Sequence, residues 1–329
     1  MNKLFQFVLP ALLLFPAFSC RQDRERAQPG RPTVAVIPKG TTHEFWKSVR
    51  LGAEQAGKEF KVEIIWKGPL KEDDRESQIR VVEDFISRGV SGIVLAPLDE
   101  VALQTVVRNA VRAGIPVAII DSGLKGEDYI GFIATDNYQA GVKAGERMAS
   151  RLQGKGRVVM LRYNEGSQST ASRERGFLDA IAKTPAIQVV SSNQYGGVTA
   201  ETATRASENL LAPLKNPDGS LAIDGIFCPN ESTTFGMLRA LENNGLVGKA
   251  VFVGFDSSTQ LARALRQGEI DALVLQNPKK MGYLGVAAMA RHLRGEKVEK
   301  RIDTGVALAT RENLDQPEMR ALLDPLGSQ

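Results

Sequence analysis

Short apolar runs rich in β-branched residues alternate with longer amphipathic stretches from Thr33 onward. This alternation is typical of repeated βα units, in which parallel strands are covered by helices on both faces. Between residues 78 and 86, for example, the apolar side chains fall on one face of a helix, and Gly89 is placed to end it. The sequence therefore predicts the α/β class, with two doubly wound parallel sheets.

Ten apolar runs are predicted to form the strands of these sheets. The first five are Thr33 to Pro38, Val62 to Trp66, Gly92 to Ala96, Pro116 to Asp121 and Ile130 to Ala134. The second five are Arg157 to Leu161, Ile187 to Ser192, Gly225 to Cys228, Val251 to Phe255 and Ala272 to Gln276. No linker rich in Pro, Gly or Ser separates the two series, so we expect the strands themselves to join two lobes.

The start of the chain has the pattern of a secretory signal. Lys3 supplies a positive charge, and Leu4 to Phe18 form an apolar run shorter than the ~20 residues that a membrane-spanning helix needs. The segment ending at Cys20 resembles a bacterial lipobox, which predicts a signal peptide over residues 1–19, lipid on Cys20 and a flexible tether over residues 20–32. An ordinary cleaved signal with a free Cys20 is the alternative. Both interpretations place the protein outside the cytoplasm.

Composition and charge narrow the function. Of the 329 residues, 43% are hydrophobic and 24% are charged, as in ordinary globular domains. The net charge of +4 is spread along the chain and gives no reason to expect a nucleic-acid partner. With two cysteines, Cys20 and Cys228, and two histidines, His43 and His292, no metal site is expected. Cys228 lies in an apolar run and is expected to be a buried, inert thiol.

Motifs for catalysis are missing from the sequence. There is no P-loop and no Gly-x-Ser-x-Gly, and a Ser-His-acid triad would have to recruit one of the two histidines. His43-Glu44 lacks the second histidine of a zinc protease, because position 47 is Lys47. Ser122 to Lys125 spells Ser-x-x-Lys without the partner motifs of a penicillin-binding serine. We therefore predict a binding protein with no catalytic residue and no cofactor.

Polar side chains follow several predicted strands at their carboxyl ends, where open parallel sheets bind ligands. These are Lys39 and His43 after the first strand, Asp121 and Ser122 after the fourth, Asn230 after the eighth, Asp256 after the ninth and Gln276 at the end of the tenth. In order and spacing they resemble, together with Phe45-Trp46, Ser172 to Phe177 and Val253 to Asp256, the periplasmic sugar-binding proteins of the ribose-binding type. The resemblance extends from about Thr33 to Leu308.

The resemblance implies an architecture. In this family two doubly wound lobes are interleaved and joined by a three-stranded hinge, the type I periplasmic binding protein fold. Carried over to this sequence, one lobe comprises residues 33–135 plus 277–304 and the other residues 136–276 plus 305–329. The crossings are expected near Thr135-Asp136, Gln276-Asn277 and Thr304-Gly305. Ligand bound between such lobes stabilises their closed arrangement, which a partner can recognise.

The resemblance also implies a monosaccharide or polyol ligand. Phe45 and Trp46 match an aromatic pair that sandwiches the sugar ring, and Phe255 could close an apolar wall. The matching polar clamp consists of Asp121, Arg173, Asn230, Asp256 and Gln276. Carboxylates accept hydroxyl protons, guanidinium groups donate in a planar fork, and amides do both, so this set suits vicinal hydroxyls.

Three positions depart from the ribose type. Ser122 stands where arginine usually follows the acid, so ribose itself is not expected. Lys39 replaces a small hydroxyl residue and resembles the lysine of binding proteins for the furanosyl autoinducer; its ammonium could replace the missing charge. His43 stands where asparagine is usual. Tyr195 is a candidate for a further aromatic of the pocket.

The expected partner is the membrane permease of an ABC importer, and membrane contact is expected only through lipid on Cys20. A histidine kinase or chemoreceptor that senses the closed form is the alternative. A regulator of the lac-repressor type would need a helix-turn-helix before Thr33, where the signal segment lies. We expect the protein to be a monomer.

Overall fold

The computed structural model describes residues 30–324 and 326–327. The predicted signal peptide and Cys20 lie outside these residues, as does the predicted tether up to residue 29. Within them, six strands form each of two sheets.

The first sheet has the strand order β11-β5-β4-β3-β1-β2 and defines the N-lobe. Its strands are β1 (Thr33–Ile37), β2 (Glu63–Trp66), β3 (Gly92–Leu95), β4 (Val117–Ile120), β5 (Gly131–Ala134) and β11 (Arg301–Asp303). All its strand pairs are parallel. Its helices are α1 (Glu44–Phe60), α2 (Arg75–Ser87), α3 (Gln104–Arg112) and α9 (Pro278–Leu293).

The second sheet has the order β12-β10-β9-β8-β6-β7 and defines the C-lobe. Its strands are β6 (Gly156–Arg162), β7 (Ile187–Tyr195), β8 (Gly225–Phe227), β9 (Val251–Phe255), β10 (Ala272–Leu275) and β12 (Ala307–Thr310). Only β12 runs antiparallel to its neighbour in this sheet. The helices are α4 (Asn137–Arg151), α5 (Gln168–Ala182), α6 (Ala200–Leu211), α7 (Glu231–Asn243), α8 (Thr259–Gln267) and α10 (Pro317–Leu323), with a short 3₁₀ helix at Ala212–Leu214.

Both sheets are covered by helices on both faces, because alternate residues of each strand point to opposite sides. In β1, Val34 and Val36 pack with α1 and α9, whereas Ala35 and Ile37 pack with α2 and α3. The C-lobe repeats this arrangement, with α4 and α5 on one face and α6, α7 and α8 on the other. The predicted α/β class with two doubly wound lobes is confirmed. Cys228 is fully buried in the C-lobe core, and burial raises the pKa of its thiol.

The chain passes between the sheets three times within the described residues: after β5, after β10 and between β11 and β12. The first and third crossings are hydrogen-bonded to each other, with the hydroxyl oxygens of Thr135 and Thr304 3.2 Å apart and the Asp136 amide donating to Asp303. Adjacent, bonded crossings bring the carboxyl ends of both sets of strands to the same cleft.

The ten predicted strands all exist, but β11 and β12 were missed. β11 contains one apolar residue, Ile302, and β12 contains neither Val nor Ile, so neither shows the β-branched apolar run by which the other strands were predicted. The predicted ends Pro38, Asp121, Cys228 and Gln276 lie just beyond their strands, where the backbone turns toward the cleft.

Candidate functional site

Both sheets reverse their strand order beside the first strand of the lobe, at β1/β3 and at β6/β8. Loops on the two sides of such a switch point diverge and leave a crevice at the carboxyl ends of the strands. Here the two crevices face each other, and the space between them is lined by residues from both lobes. The side chains described next converge on this cleft.

Asp121 and Asp256 occupy equivalent places in the two lobes. Each follows a central strand, adopts a left-handed backbone with φ of 63° and 65°, and donates its amide to the neighbouring strand. Aspartate tolerates this conformation better than most residues. The turn directs each carboxylate into the cleft, where both are buried.

Each of these carboxylates has a basic partner. Lys39 Nζ lies 2.8 Å from Asp121, and it also donates to Ser169 of the other lobe at 3.1 Å. Asp256 accepts from Gln276 Nε2 at 2.8 Å and lies 3.9 Å from Arg173. Burial raises the pKa of Asp256, with the attraction of Arg173 opposing it. The other amide atom of Gln276, Oε1, is buried without a hydrogen-bond partner among the described residues, so the cleft offers one spare acceptor there.

Arg173 is held on several sides. Its Nε donates to Asn137 at 2.7 Å and its Nη1 to the carbonyl of Pro229 at 2.9 Å. The guanidinium lies 4.0 Å from the centre of the Phe255 ring, a cation–π contact. Burial lowers the pKa of Arg173, with the attraction of Asp256 opposing it. Phe255 therefore packs against the guanidinium group of Arg173 and does not itself line the cavity.

The side chains of Asn230 and Ser122 each accept a hydrogen bond from a backbone amide in the first turn of a helix. Asn230 is the N-cap of α7, and its Oδ1 accepts from the Thr233 amide and hydroxyl. Ser122 Oγ accepts from the Ser169 amide at 3.1 Å, in the first turn of α5. Ser122 therefore joins the two lobes rather than facing the cavity.

Glu72, in the loop between β2 and α2, is a residue that the sequence did not suggest. It is buried and accepts three side-chain hydrogen bonds: from His43 Nδ1 at 2.7 Å, from Trp46 Nε1 at 2.6 Å and from the Tyr163 hydroxyl at 2.6 Å. Burial alone would disfavour the charged forms of His43 and Glu72. The electrostatic attraction and the hydrogen bond between the two groups together outweigh this effect. The pKa of His43 is raised to about 9 and that of Glu72 is lowered to about 2.

Phe45 and Trp46 both line the cavity, but their rings do not face each other. The ring centres are 4.9 Å apart and the planes meet at 89°. An edge-to-face pair at this distance leaves no room for a sugar ring between its members. A sugar ring is therefore not held between these two rings in this arrangement, the contact of either ring with a sugar stays a prediction, and the indole is bonded to Glu72.

The structure brings most of the predicted site residues around one cavity. Lining it are Lys39, His43, Phe45, Trp46, Asp121, Arg173, Asn230, Asp256 and Gln276, with Glu72, Tyr163, Ser169, Thr170 and Glu231 as residues that sequence reasoning missed. Two of these residues could have been predicted from their places in the sequence. Tyr163 directly follows strand β6, and Glu231 directly follows the candidate residue Asn230. Tyr195 lies elsewhere, with Arg162 stacked on its partly exposed ring.

The cavity is small, about 30 Å³, because the polar groups of the two lobes are bonded to each other. Pockets for small molecules usually measure roughly 300–1,000 Å³. A ligand of that size does not fit the cavity in this arrangement of the lobes. A larger cavity of about 550 Å³ lies at the amino-terminal ends of β4 and β5, away from the convergent polar groups.

Metal chemistry receives no support from the described residues. They contain no group of three His, Cys, Asp or Glu side chains that could hold a metal ion. Their helices also include none that is long and apolar enough to cross a membrane.

The fold and the cleft together define a class: a two-lobed binding protein of the type I periplasmic fold. Comparison with known proteins agrees. A family model described as periplasmic binding protein domain matches residues 34–297. The chain belongs to this family, so the resemblance found in the sequence is confirmed.

Three similar proteins illustrate the relationship. The D-allose-binding periplasmic protein of Escherichia coli is 29% identical over 272 residues, which are 80% of this chain and 85% of that protein. A carbohydrate transporter solute-binding protein from Agrobacterium radiobacter, in complex with D-arabinose, is 32% identical with a TM-score of 0.84, covering 90% of this chain and 99% of that one. A solute-binding protein from Agrobacterium vitis with bound D-fucose is 36% identical with a TM-score of 0.83, covering 88% and 99%.

These homologues are binding proteins of transport systems and not enzymes. The expectation that the chain is not an enzyme is therefore confirmed. Membership of a periplasmic family implies a location outside the cytoplasm.

Proposed function

We propose that this protein captures a neutral monosaccharide or polyol between its lobes and delivers it to an ABC importer. The observation that carries the proposal is the set of donors and acceptors aimed into the cleft from both lobes, above all Asp121, Asp256 and the spare Gln276 oxygen. Sugars present many hydroxyl groups, each of which donates and accepts, so such a set can satisfy them without any reaction. The similar proteins named for allose, arabinose and fucose support the same class of ligand.

Charge balance favours a neutral ligand. Three basic side chains, Lys39, His43 and Arg173, face three acidic ones, Glu72, Asp121 and Asp256. Glu231 is a fourth acid at the edge of this set, and burial raises its pKa to about 7, with the attraction of His43 opposing the rise. A ligand that carried its own charge would unbalance a buried site, which is costly in a medium of low polarity.

The direct test is a thermal-shift screen of the mature protein. The panel contains D-arabinose, D-fucose, D-allose, D-ribose, inositols, sugar alcohols and a furanosyl autoinducer, the last because Lys39 lies in the cleft. Sugar acids and amino sugars serve as charged counterparts. We expect a neutral member to raise the Tm and the charged counterparts to have no effect. No stabilisation by any neutral member would overturn the proposal.

Substitutions in the cleft test whether the rise in Tm arises from ligand bound there. Asp256→Asn should abolish the shift, because the carboxylate becomes an amide with one acceptor fewer. Asp315→Asn is the matched control, since Asp315 forms exposed ion pairs with Arg266 and Arg320 on the surface of the same lobe. An equal effect of both variants would show that loss of binding is not specific to the cleft.

We also propose that the protein is a lipoprotein. The anchor would be Cys20, within the lipobox-like end of the signal segment. Mass spectrometry of the N-terminal peptide should find lipid on Cys20, and Cys20→Ser should release the protein from the membrane fraction.

The two lobes are further proposed to move relative to each other as two rigid bodies. These bodies would be residues 33–135 plus 277–304 and residues 136–276 plus 305–329, with the hydrogen-bonded crossings as the hinge. A radius of gyration that does not change on addition of sugar would argue against this motion.

Delivery to an importer and signalling to a kinase or chemoreceptor would use the same closed form. Uptake of the identified sugar by cells is the distinguishing measurement. Loss of uptake on deletion of the gene supports delivery, whereas normal uptake with loss of a transcriptional or tactic response supports sensing.

A further inference from the structure

The position of Glu72 has a consequence for the residue beside it. The carboxylate lies at one end of the cleft and is the acceptor for His43 Nδ1, the Trp46 indole and the Tyr163 hydroxyl. An ionised carboxylate can only accept, and an indole N–H can only donate. Both oxygens are therefore used by donors, and His43 must keep a proton on Nδ1.

The other ring nitrogen of His43, Nε2, is the one that Glu72 does not engage. His43 lines the cleft cavity, and no side chain or backbone acceptor among the described residues bonds to its Nε2. If the ring is neutral, Nε2 offers a lone pair; if it is charged, Nε2 offers a hydrogen. The charge on this ring therefore decides which ligand atoms are accepted.

The surroundings of His43 favour the charged ring. Glu72 faces it from the β2–α2 loop, Glu231 from the start of α7 and Asp256 from the end of β9. Lys39 and Arg173 also line the cavity, but each has a carboxylate of its own at Asp121 and Asp256. The net result agrees with a raised pKa for His43, despite its burial.

We propose that Glu72 is a positioning residue that fixes His43 as a charged, donor-only contact for the bound ligand. This inference rests on the proposed sugar-binding function and deepens it. The ligand atom against His43 is then an acceptor, such as a ring oxygen, a carbonyl or a hydroxyl lone pair, and an ammonium group at that place is rejected. Glu72 acts through His43 and Tyr163 and does not itself need to touch the ligand.

A purely structural role for Glu72 is the competing explanation, because its hydrogen bonds also stitch Trp46 and Tyr163 together. The variant Glu72→Gln separates the two. It preserves the shape and one acceptor oxygen but removes the charge. A structural role predicts a change in stability alone, whereas the positioning role predicts a change in the proton affinity of His43.

The chain is well suited to this test, since His43 and His292 are its two histidines. His292 lies exposed on α9 and serves as an internal reference, assigned with His292→Gln. NMR titration of the imidazole nitrogens, without sugar, should show His43 in the wild type charged up to pH 8. In Glu72→Gln the pKa of His43 should fall by at least about one unit, a tenfold loss of proton affinity. A wild-type His43 that has lost its proton below pH 8, or an unchanged His43 in Glu72→Gln, overturns the proposal.

Binding completes the test. Calorimetry with D-arabinose and D-fucose is done in a Glu231→Gln background, which removes the other group that titrates near pH 7, and should there give an affinity that is constant from pH 6 to pH 8. In Glu72→Gln the affinity should fall at least about twofold over the same range, because a pKa one unit below the wild-type value of about 9 leaves His43 only half protonated at pH 8. His43→Gln should bind weakly and without this pH dependence. If Glu72→Gln does not fold, the wild-type titration and His43→Gln decide. If the wild type binds no sugar at all, the proposed function fails while the titration still judges the role of Glu72.

Discussion

The two lobes exchange helix caps across the cleft through Glu44 and Glu231. Glu231, the first residue of α7, accepts from the backbone amides of Glu44 and Phe45 at 3.3 and 3.1 Å. Glu44, the first residue of α1, accepts from the amide of Thr259 in the first turn of α8 at 3.1 Å. Each lobe therefore supplies a negative charge to the amino-terminal end of a helix in the other, where unpaired amides and the helix dipole favour it.

This exchange predicts that both carboxylates stabilise the closed arrangement. Because the side chain of His43, the N-cap residue of α1, makes no capping hydrogen bond, Glu44→Ala and Glu231→Ala should each weaken sugar binding by about 1 kcal/mol, roughly fivefold. Glu54→Ala is the control, since Glu54 pairs with Arg50 on the exposed side of α1. Calorimetry measures the affinities. Equal effects of Glu44→Ala and Glu54→Ala would contradict the exchange.

The pH dependence of stability should report on Glu231. Burial raises the pKa of this carboxyl to about 7, above its ordinary value of 4.5. A raised folded-state pKa means that its contribution to stability is complete below pH 4.5 and is lost as the pH rises through 7. We expect the free energy of unfolding to fall by about 1–3 kcal/mol between pH 5 and pH 8 from this group. Urea unfolding of Glu231→Gln should show a shallower decline, and parallel curves for the two proteins would refute the assignment.

The buried pair of Lys39 and Asp121 should be strongly coupled. Removing either partner leaves the other charge buried without compensation, so Lys39→Met and Asp121→Asn should each cost about 3 kcal/mol or more. The double variant should cost clearly less than the sum of the two, because no uncompensated charge remains. Urea unfolding of the four proteins measures the coupling. Additive losses would mean that the two groups do not interact.

Glycines allow the helices that carry the site to pack closely. A Cβ on Gly141 of α4 would lie 1.9 Å from the carbonyl oxygen of Arg173 in α5, so Gly141→Ala must push the two helices apart. We expect a loss of about 1–3 kcal/mol in stability, and weaker sugar binding because Arg173 moves. Gly30→Ala is the control, as a Cβ there meets nothing within 4 Å. Unchanged binding in a destabilised Gly141→Ala would separate the helix contact from the position of Arg173.

The sequence predicted the strand-end residues because each follows a long apolar run and begins a loop, a pattern that depends on local order alone. Asp121 and Asp256 are examples. Glu72 could not be found in this way, because its partners His43 and Tyr163 come from two other loops, one of them in the other lobe. The relative orientation of the Phe45 and Trp46 rings could not be predicted from the sequence either, because it depends on the hydrogen bond from the Trp46 indole to Glu72.

The order in which the lobes are completed along the chain constrains how the protein can form. The N-lobe sheet receives its last strand, β11, from residues 301–303, and α1 packs against α9 from residues 278–293. A nascent chain that has emerged only as far as β5 lacks both, so almost the whole polypeptide must be made before either lobe can close its core. We therefore expect much of the chain to stay unfolded until its synthesis is almost complete. For the same reason a fragment that ends at residue 135 should not fold on its own.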